Sequence, residues 1–518
     1  MSEDTTAAPD RSEAPASAYS WYVLGVLVVV YILNFIDRQI LAILAVDIKR
    51  DLALDDDQLG FLGGAAFAVF YALFGVPLGR LADRWHRVRL LTIGLVLWST
   101  MTALSGLARN FVSLSLARMG VGVGEATASP TAYSLISDYF PARQKGTALA
   151  VYSSGLYIGG GVSLLIGAKI SQVWDAAYPG GGIGGLVGWQ AAFMAVGLPG
   201  VLLALWVASL REPSRQPDAA TGVRHPLADF FVDLSMLLPP FTLIHAARRG
   251  VKAALINLAV AAAMIGFAWV MIKLTKNLPQ WSAIAFGYYA VFSWASTLRR
   301  HDPATFKLIW GTPAFICTAL GYGLVSLGAY ALAFWSAPYA EEELGLPKAE
   351  LAFVLGGSGA LSGFLGVILG GRMSDWLRTR NPSGRILVVM FGIVAPVMPI
   401  WLGFTTASPT LFYAMNFLAG MFAAAALGAA AATTQDLVLP RMRGTATASF
   451  FLATTLVGLG LGPYMVGAIS ELSGSRQTGV LSLIGVAPIS LALLIYAYRT
   501  LPQAEATIAE RAAAAAAG

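Results

Sequence analysis

The sequence predicts an all-α integral membrane protein of two six-helix halves in pseudo-two-fold relation, with an extra helical hairpin between them. Three observations predict it: a composition too apolar for water, apolar runs of membrane-crossing length, and two loop motifs that return in the same order. Of the 518 residues, 57% are hydrophobic and 12% charged, against about 25% charged in a soluble globular chain. No core in water is large enough to hide that much apolar side chain, so lipid is the solvent for much of it. The apolar runs are roughly 18–25 residues long, enough to cross a hydrocarbon layer about 30 Å thick. Helices satisfy their own backbone groups over that length, and abundant Gly and Ala suit close helix packing in lipid.

Helices are expected at 21–46, 57–78, 90–108, 111–135, 146–170 and 189–209, then at 314–338, 352–370, 386–406, 410–435, 445–469 and 479–498. Arg80, Arg84, Arg87 and Arg89 follow the second, Arg143 and Lys145 the fourth, Arg372, Arg378, Arg380 and Arg385 the eighth, Arg441 and Arg443 the tenth. By the positive-inside rule these loops are cytoplasmic, as are both termini. The opposite loops are poorer in cations: Asp55–Asp57, Gly180–Gly185 and Glu341–Glu343. The chain then divides into a disordered cytoplasmic tail (1–18), an N-terminal half (19–210), an inter-domain segment (211–306), a C-terminal half (307–500) and a low-complexity tail (501–518). The acidic start lacks the basic region and apolar core of a signal peptide. Within the inter-domain segment, Val251–Ile272 and Trp281–Leu298 are apolar runs with Arg248, Arg249 and Lys252 before them and Arg299 and Arg300 after. A membrane hairpin (251–298) returning to the cytoplasm fits that pattern; two helices on the membrane surface are the alternative.

The halves are marked by repetition. Gly79-Arg80-Leu81-Ala82-Asp83 after the second helix matches Gly371-Arg372-Met373-Ser374-Asp375 after the eighth, and DYFPARQKGTA from Asp138 returns as DLVLPRMRGTA from Asp436. The run GRLADRWHRVR resembles the signature loop of the major facilitator superfamily, which implies the major facilitator fold with a substrate site between the halves near mid-membrane. Gly79, Asp83, Arg84 and Asp375 are the candidate cytoplasmic gate. Asp83 would meet the helix starting near Gly444, and Asp375 the one starting near Gly146, each carboxylate at the positive end of a helix dipole. The alternative is that these arginines serve topology alone.

Charges inside spans are costly and mark function by default. Asn34-Phe35-Ile36-Asp37-Arg38 lies in the first helix, and Arg118 through Glu125 (RMGVGVGE) in the fourth. Arg118 and Glu125 are seven apart and share a face. At about 1.5 Å per residue, the four charges fall in one band from mid-membrane outward. Asp37 with Arg118 and Arg38 with Glu125 is one pairing; a static salt-bridge cluster is the rival to transport or coupling. Gly120, Gly122 and Gly124 read as helix-packing positions, as do Gly458, Gly460, Gly462 and Pro463. The C-terminal half offers Tyr330, Trp335 and Asn416, with Tyr157 from the N-terminal half, as cavity-lining candidates. One wall is thus ionic and the other apolar and aromatic, which suits an amphipathic ligand.

The runs NFIDR and RMGVGVGEA, with the stretch from Asp138 to Gly146, resemble the spinster-type transporters. The resemblance implies a secondary active, proton-coupled transporter of lysophospholipid or sphingolipid-like molecules working by alternating access. It makes Asp37 and Glu125 candidate proton-sensitive carboxylates and Arg38 and Arg118 their partners or those of a phosphate, with Asn34 beside them. An organic-anion or drug transporter of the same superfamily is the alternative. His86, His225, His245 and His301 do not cluster in sequence, the single Cys317 excludes an internal disulfide, and there is no Walker loop or zinc spacing. An enzyme is therefore not expected, nor a cofactor, a metal or a nucleic-acid partner. The expected partners are substrate, protons and lipid, for a monomer in the cell inner membrane.

Overall fold

The computed structural model describes residues 16–213 and 226–517. The expected N-terminal tail and His225 thus lie almost wholly outside the described residues. No strand occurs among the latter, and twelve of their helical segments are long and apolar enough to cross a membrane. Two more helical stretches, 111–139 (broken after Glu125) and 278–301, are packed beside these segments. The chain is a multi-pass membrane protein.

The N-terminal half comprises α1 (Ala18–Leu52), α2 (Asp56–Gly63), α3 (Ala65–Arg84), α4 (Arg87–Ser105), α5 (Phe111–Glu125), α6 (Ala128–Tyr139), α7 (Ala142–Ala177) and α8 (Gly188–Ala208). The inserted segment holds α9 (Pro226–Ser235), α10 (Phe241–Arg248), α11 (Val251–Thr275), α12 (Leu278–His301) and α13 (Pro303–Ile309). The C-terminal half holds α14 (Pro313–Glu342), α15 (Lys348–Arg380), α16 (Gly384–Val394), α17 (Val397–Thr405), α18 (Pro409–Asp436), α19 (Arg443–Ala453), α20 (Gly460–Ser473), α21 (Arg476–Leu481), α22 (Ala487–Ala506) and α23 (Ile508–Ala517). We call the side on which α1 begins the terminal face and the other the distal face.

Several expected single spans are broken. The second splits at Gly64, whose φ of −118° and ψ of −100° lie outside the helical region. The fourth splits after Glu125, where Thr127 Oγ1 donates to the Gly124 carbonyl at 2.8 Å and tightens the turn. The three glycines before that break let neighbours approach: a Cβ on Gly124 would stand 2.7 Å from the Trp98 nitrogen and one on Gly122 2.6 Å from the Phe67 carbonyl. The eleventh contains a π-helical stretch, Thr454–Leu459, between α19 and α20. Pro463 lies just beyond it and supplies no backbone N–H, a usual cause of such irregularity.

The halves repeat one ion pair. Arg87 binds Asp138, and Arg385 binds Asp436, with a separation of 51 residues each time. In the N-terminal half the pair is reinforced by Glu212, which accepts from Arg87 Nε at 2.7 Å and from the Val88 nitrogen at 2.9 Å.

α11 and α12 form an antiparallel hairpin whose tip lies at the distal face, where Asn277 Nδ2 donates to Asp57 at 2.6 Å. α12 lies over the seam between the halves. Its Gln280 Nε2 donates to the Gly460 carbonyl at 2.9 Å, and a Cβ on its Gly287 would touch Leu456 and Val69 at 3.3 Å. The low-complexity end continues as helix: α23 packs on α13, and Arg511 Nη1 donates to Thr312 Oγ1 at 2.5 Å.

Candidate functional site

The mid-membrane cluster is built by α1 and α5. Asp37 and Arg38 are consecutive on α1, so they leave the helix about 100° apart. Arg38 reaches Glu125, the last residue of α5, through an Nη2–Oε2 ion pair of 2.7 Å. Glu125 is 1% exposed and sits at a helix C-terminus, where the dipole disfavours a carboxylate. Arg38 offsets that penalty. Its guanidinium also stands over the rings of Phe67, Phe35 and Tyr71, at 4.6, 4.8 and 5.1 Å from their centroids, in cation–π geometry.

The second expected pair is made differently. Arg118 Nη1 donates to the backbone carbonyl of Asp37 at 3.1 Å instead of to its carboxylate. Both carboxylate oxygens of Asp37 are buried without a hydrogen bond. Trp98 and Thr102 of α4 face them, and their donors are likewise unpartnered. Asn34 is buried one turn away, its Nδ2 unpartnered and facing Glu125. The cluster therefore holds one ion pair, in which Glu125 Oε1 and Arg38 Nε stay unpartnered, and a second carboxylate with both oxygens open to hydrogen bonding.

Aromatic groups continue from the cluster. Tyr31 stacks on Tyr152 at 4.3 Å, and Tyr133 meets Tyr152 edge-on at 5.6 Å. Tyr330 of α14 brings the other half to within electrostatic reach of Arg38. Tyr157 lies in the seam between α7 and α15, where its ring fills the place a Cβ on Gly363 would take. Trp335 and Asn416 are elsewhere. Trp335 is fully buried with Nε1 donating to the Pro463 carbonyl at 2.8 Å, and Asn416 Nδ2 donates to Ser336 Oγ at 2.6 Å. Each polar handle finds a partner inside its own half; Trp335 is fully buried in this conformation, whereas Asn416 is half-buried.

Between the halves, ion pairs gather at the distal face. Asp47 of α1 binds Lys348 of α15. Asp56 of α2 binds Arg476 of α21 at 3.0 Å, and Arg476 also binds Glu342 at 2.6 Å. Sequence reading missed these four partners; Asp55–Asp57 registered only as an acidic loop, because which loops abut is a tertiary fact. At the terminal face Asp375 does not reach the helix that begins near Gly146 in this conformation. Asp375 is largely exposed and 3.8 Å from Arg385 of its own half, and a Cβ on Gly146 or Gly444 would meet nothing within 4 Å. A Cβ on Gly79 would approach only Pro130, at 3.8 Å. Arg84 and Arg80 pair instead with Asp229 and Asp233 of α9, at 3.2 and 2.9 Å. Asp83 lines a cavity of about 450 Å³ between these pairs and the end of α12. The ion pairs that join the halves thus gather at the distal face. His86, His245 and His301 stay apart, and no group of His, Cys, Asp or Glu among the described residues is arranged to hold a metal ion.

The model of the Major Facilitator Superfamily matches residues 27–398 and 318–517. The chain belongs to the Major Facilitator Superfamily. Among its relatives in the superfamily, an MFS-type efflux pump of Mycolicibacterium smegmatis is 25% identical over 89% of this chain and 87% of its own. Protein spinster homolog 1 of Xenopus tropicalis is 25% identical over 88% and 74%. A probable galactarate/D-glucarate transporter of Escherichia coli is 24% identical over 93% and 94%. A crystal structure of a bacterial homologue of the human lysosomal transporter spinster, inward-facing and unoccupied, superposes with a TM-score of 0.68 at 25% identity. It covers 96% of this chain and 99% of that one. The spinster-type resemblance seen in NFIDR and RMGVGVGEA is borne out, and as a superfamily member the protein is a transporter.

Proposed function

We propose that this transporter moves an amphipathic, lipid-like substrate of the lysophospholipid or sphingolipid class, coupled to protons, by alternating access. It would sit in the cell inner membrane with both termini cytoplasmic, which makes the conformation described here the inward-facing one. The observation that carries the reading is Arg38, a guanidinium held by one carboxylate, ringed by aromatic faces and approached by Tyr330 of the other half. Protonation of Glu125 removes its charge and frees Arg38, whose planar fork suits a phosphate head. The substrate's apolar body then has the aromatic wall and the C-terminal half to lie against. Asp37, with two unpartnered oxygens, is the second proton acceptor, and Arg118 and Asn34 hold the geometry around both carboxylates. Rocking of the halves breaks the distal bolts and carries Asp83 and Asp375 towards the helices that begin near Gly444 and Gly146.

The test is labelled lysophospholipid flux in proteoliposomes with and without a pH gradient, comparing wild type with Glu125→Gln. A carboxylate is protonated as pH falls, so wild-type flux should rise with acidity on the loading side; the variant, neutral at every pH, should lose both gradient stimulation and pH dependence. An unchanged rate and pH profile in the variant would sink the mechanism. The second reading, an organic-anion or drug transporter, is favoured by the efflux-pump and galactarate/D-glucarate relatives. Competition decides between them: a sugar diacid that displaces lysolipid at equal concentration supports the second.

A further inference from the structure

The foot of the inserted hairpin combines outward apolar side chains with unmatched positive charge. On α9 and α10, Phe231, Phe241 and Ile244 are 64%, 51% and 47% exposed. α11 continues the apolar surface through Val251, Leu255 and Leu258, all exposed. Apolar surface of that extent at the edge of a membrane protein is solvated by acyl chains.

Beside it, two stretches of sequence bring basic residues together: Arg248, Arg249 and Lys252 at the start of the hairpin, and Arg299 and Arg300 at its return. Arg249 Nη2 donates to Thr297 Oγ1 at 3.2 Å, which ties the start of the hairpin to its return. None of the five forms an ion pair among the described residues, and the carboxylates close by are engaged. Asp229 binds Arg84, Asp233 binds Arg80, and Asp302 accepts from the Thr305 nitrogen and hydroxyl. Partial burial and the facing Arg300 both lower the pKa of Arg249. Burial, then Arg249 and Arg248, lower that of His245. Like charges therefore face one another here. Arg80, Arg84 and Arg87 on the same face are each matched by acidic partners. Orientation in the membrane calls for basic residues in this loop; it does not call for a hydrogen bond that draws Arg249 onto the returning helix beside Arg300.

We infer that the hairpin foot is a binding site for the headgroups of anionic phospholipids in the surrounding leaflet. The phosphate is taken by Arg249, Arg300 and Arg248, and the acyl chains lie along the outward faces of α10 and α11. Clustered cations beside a membrane helix attract anionic lipid in this way. The site is independent of what the central cluster transports.

Delipidated full-length protein in neutral detergent would be titrated with phosphatidylglycerol or phosphatidylcholine, with bound lipid counted by native mass spectrometry. Wild type should retain phosphatidylglycerol preferentially, and Arg248→Gln, Arg249→Gln and Arg300→Gln should weaken retention by about 5-fold for each charge removed. Phosphatidylcholine retention should stay unchanged, and Lys at the same positions should restore most of the preference. Equal retention of the two lipids by wild type would overturn the site, as would a preference that survives the triple Gln variant. Competition by inorganic phosphate as effective as the lipid would also overturn it, since the site would then read free phosphate. If the triple variant does not fold, the wild-type preference and its decline with salt still decide.

Discussion

The two faces of this transporter use the same chemistry in opposite ways. At the terminal face each half closes an ion pair on itself, Arg87 with Asp138 and Arg385 with Asp436. At the distal face the pairs cross between halves, Asp47 with Lys348 and Asp56 with Arg476. A pair inside one half moves as a rigid unit and survives rocking. In the alternating-access cycle proposed above, a pair between halves breaks at each turn, so its strength sets the balance between the two open states. The first kind belongs to stability and the second to the conformational equilibrium.

The largest expected effect tests the crossing pairs. Arg476→Gln leaves Glu342 without its guanidinium and Asp56 with Lys49 of its own half alone, at 2.6 Å. Breaking a buried pair costs about 3–5 kcal/mol, of which Lys49 keeps a part, and Asp56 and Arg476 are both at least nine-tenths buried. With part of that cost relieved by water in the open state, a shift of about 2 kcal/mol, roughly 30-fold, towards the distally open form is expected. Nitroxides at Asp55 and Ala349, in a background with Cys317 replaced, would report it as a longer inter-label distance; an unmoved distribution would refute the assignment of Arg476 as a bolt. Arg87→Gln sharpens the contrast from the other side. It should lower thermal stability by about 1–3 kcal/mol, the range for losing a buried charge's partners, while the same label pair stays where it is. A change in distance with intact stability would erase the distinction. The smallest effect is expected at the α9 pairs. Asp229→Asn with Asp233→Asn removes two half-exposed bridges to Arg84 and Arg80, each worth about 0–1 kcal/mol, and flux should change by less than about 2-fold. A larger loss would make α9 part of the gate.

Much of this was legible in the sequence because membrane folds write themselves in length and repetition. The run length of the helices, the recurrence of GRLAD as GRMSD and the return of the Asp138 motif at Asp436 placed both halves. The spacing of Arg118 and Glu125 put them on one face, and the Arg38–Glu125 contact was one of the pairings that the spacing allowed. Other features were not legible. That Arg118 turns to a backbone carbonyl follows from side-chain reach, which spacing does not encode. The breaks after Gly63 and Glu125 and the π-helical stretch depend on which neighbour presses where. The distal bolts join residues as far apart as Asp56 and Arg476, and no local pattern announces such a pair. That Trp335 is fully buried with its N–H bonded to the Pro463 carbonyl was likewise not legible, because a polar atom in an apolar span does not name its partner.

The inserted hairpin makes the molecule one-sided. Two pseudo-equivalent flanks separate the halves: one runs between α3 and the α19–α20 region, the other between α7 and α15. α12 lies across the first and touches both banks, through Val69 on one and Leu456 on the other. On the second flank the halves meet directly, with Gly161 against Gly356 so closely that a Cβ on either would fall 2.5–2.6 Å from the other's carbonyl oxygen. One seam between the halves is thus covered by a covalently attached strip of the same chain, and the other is closed by the halves themselves.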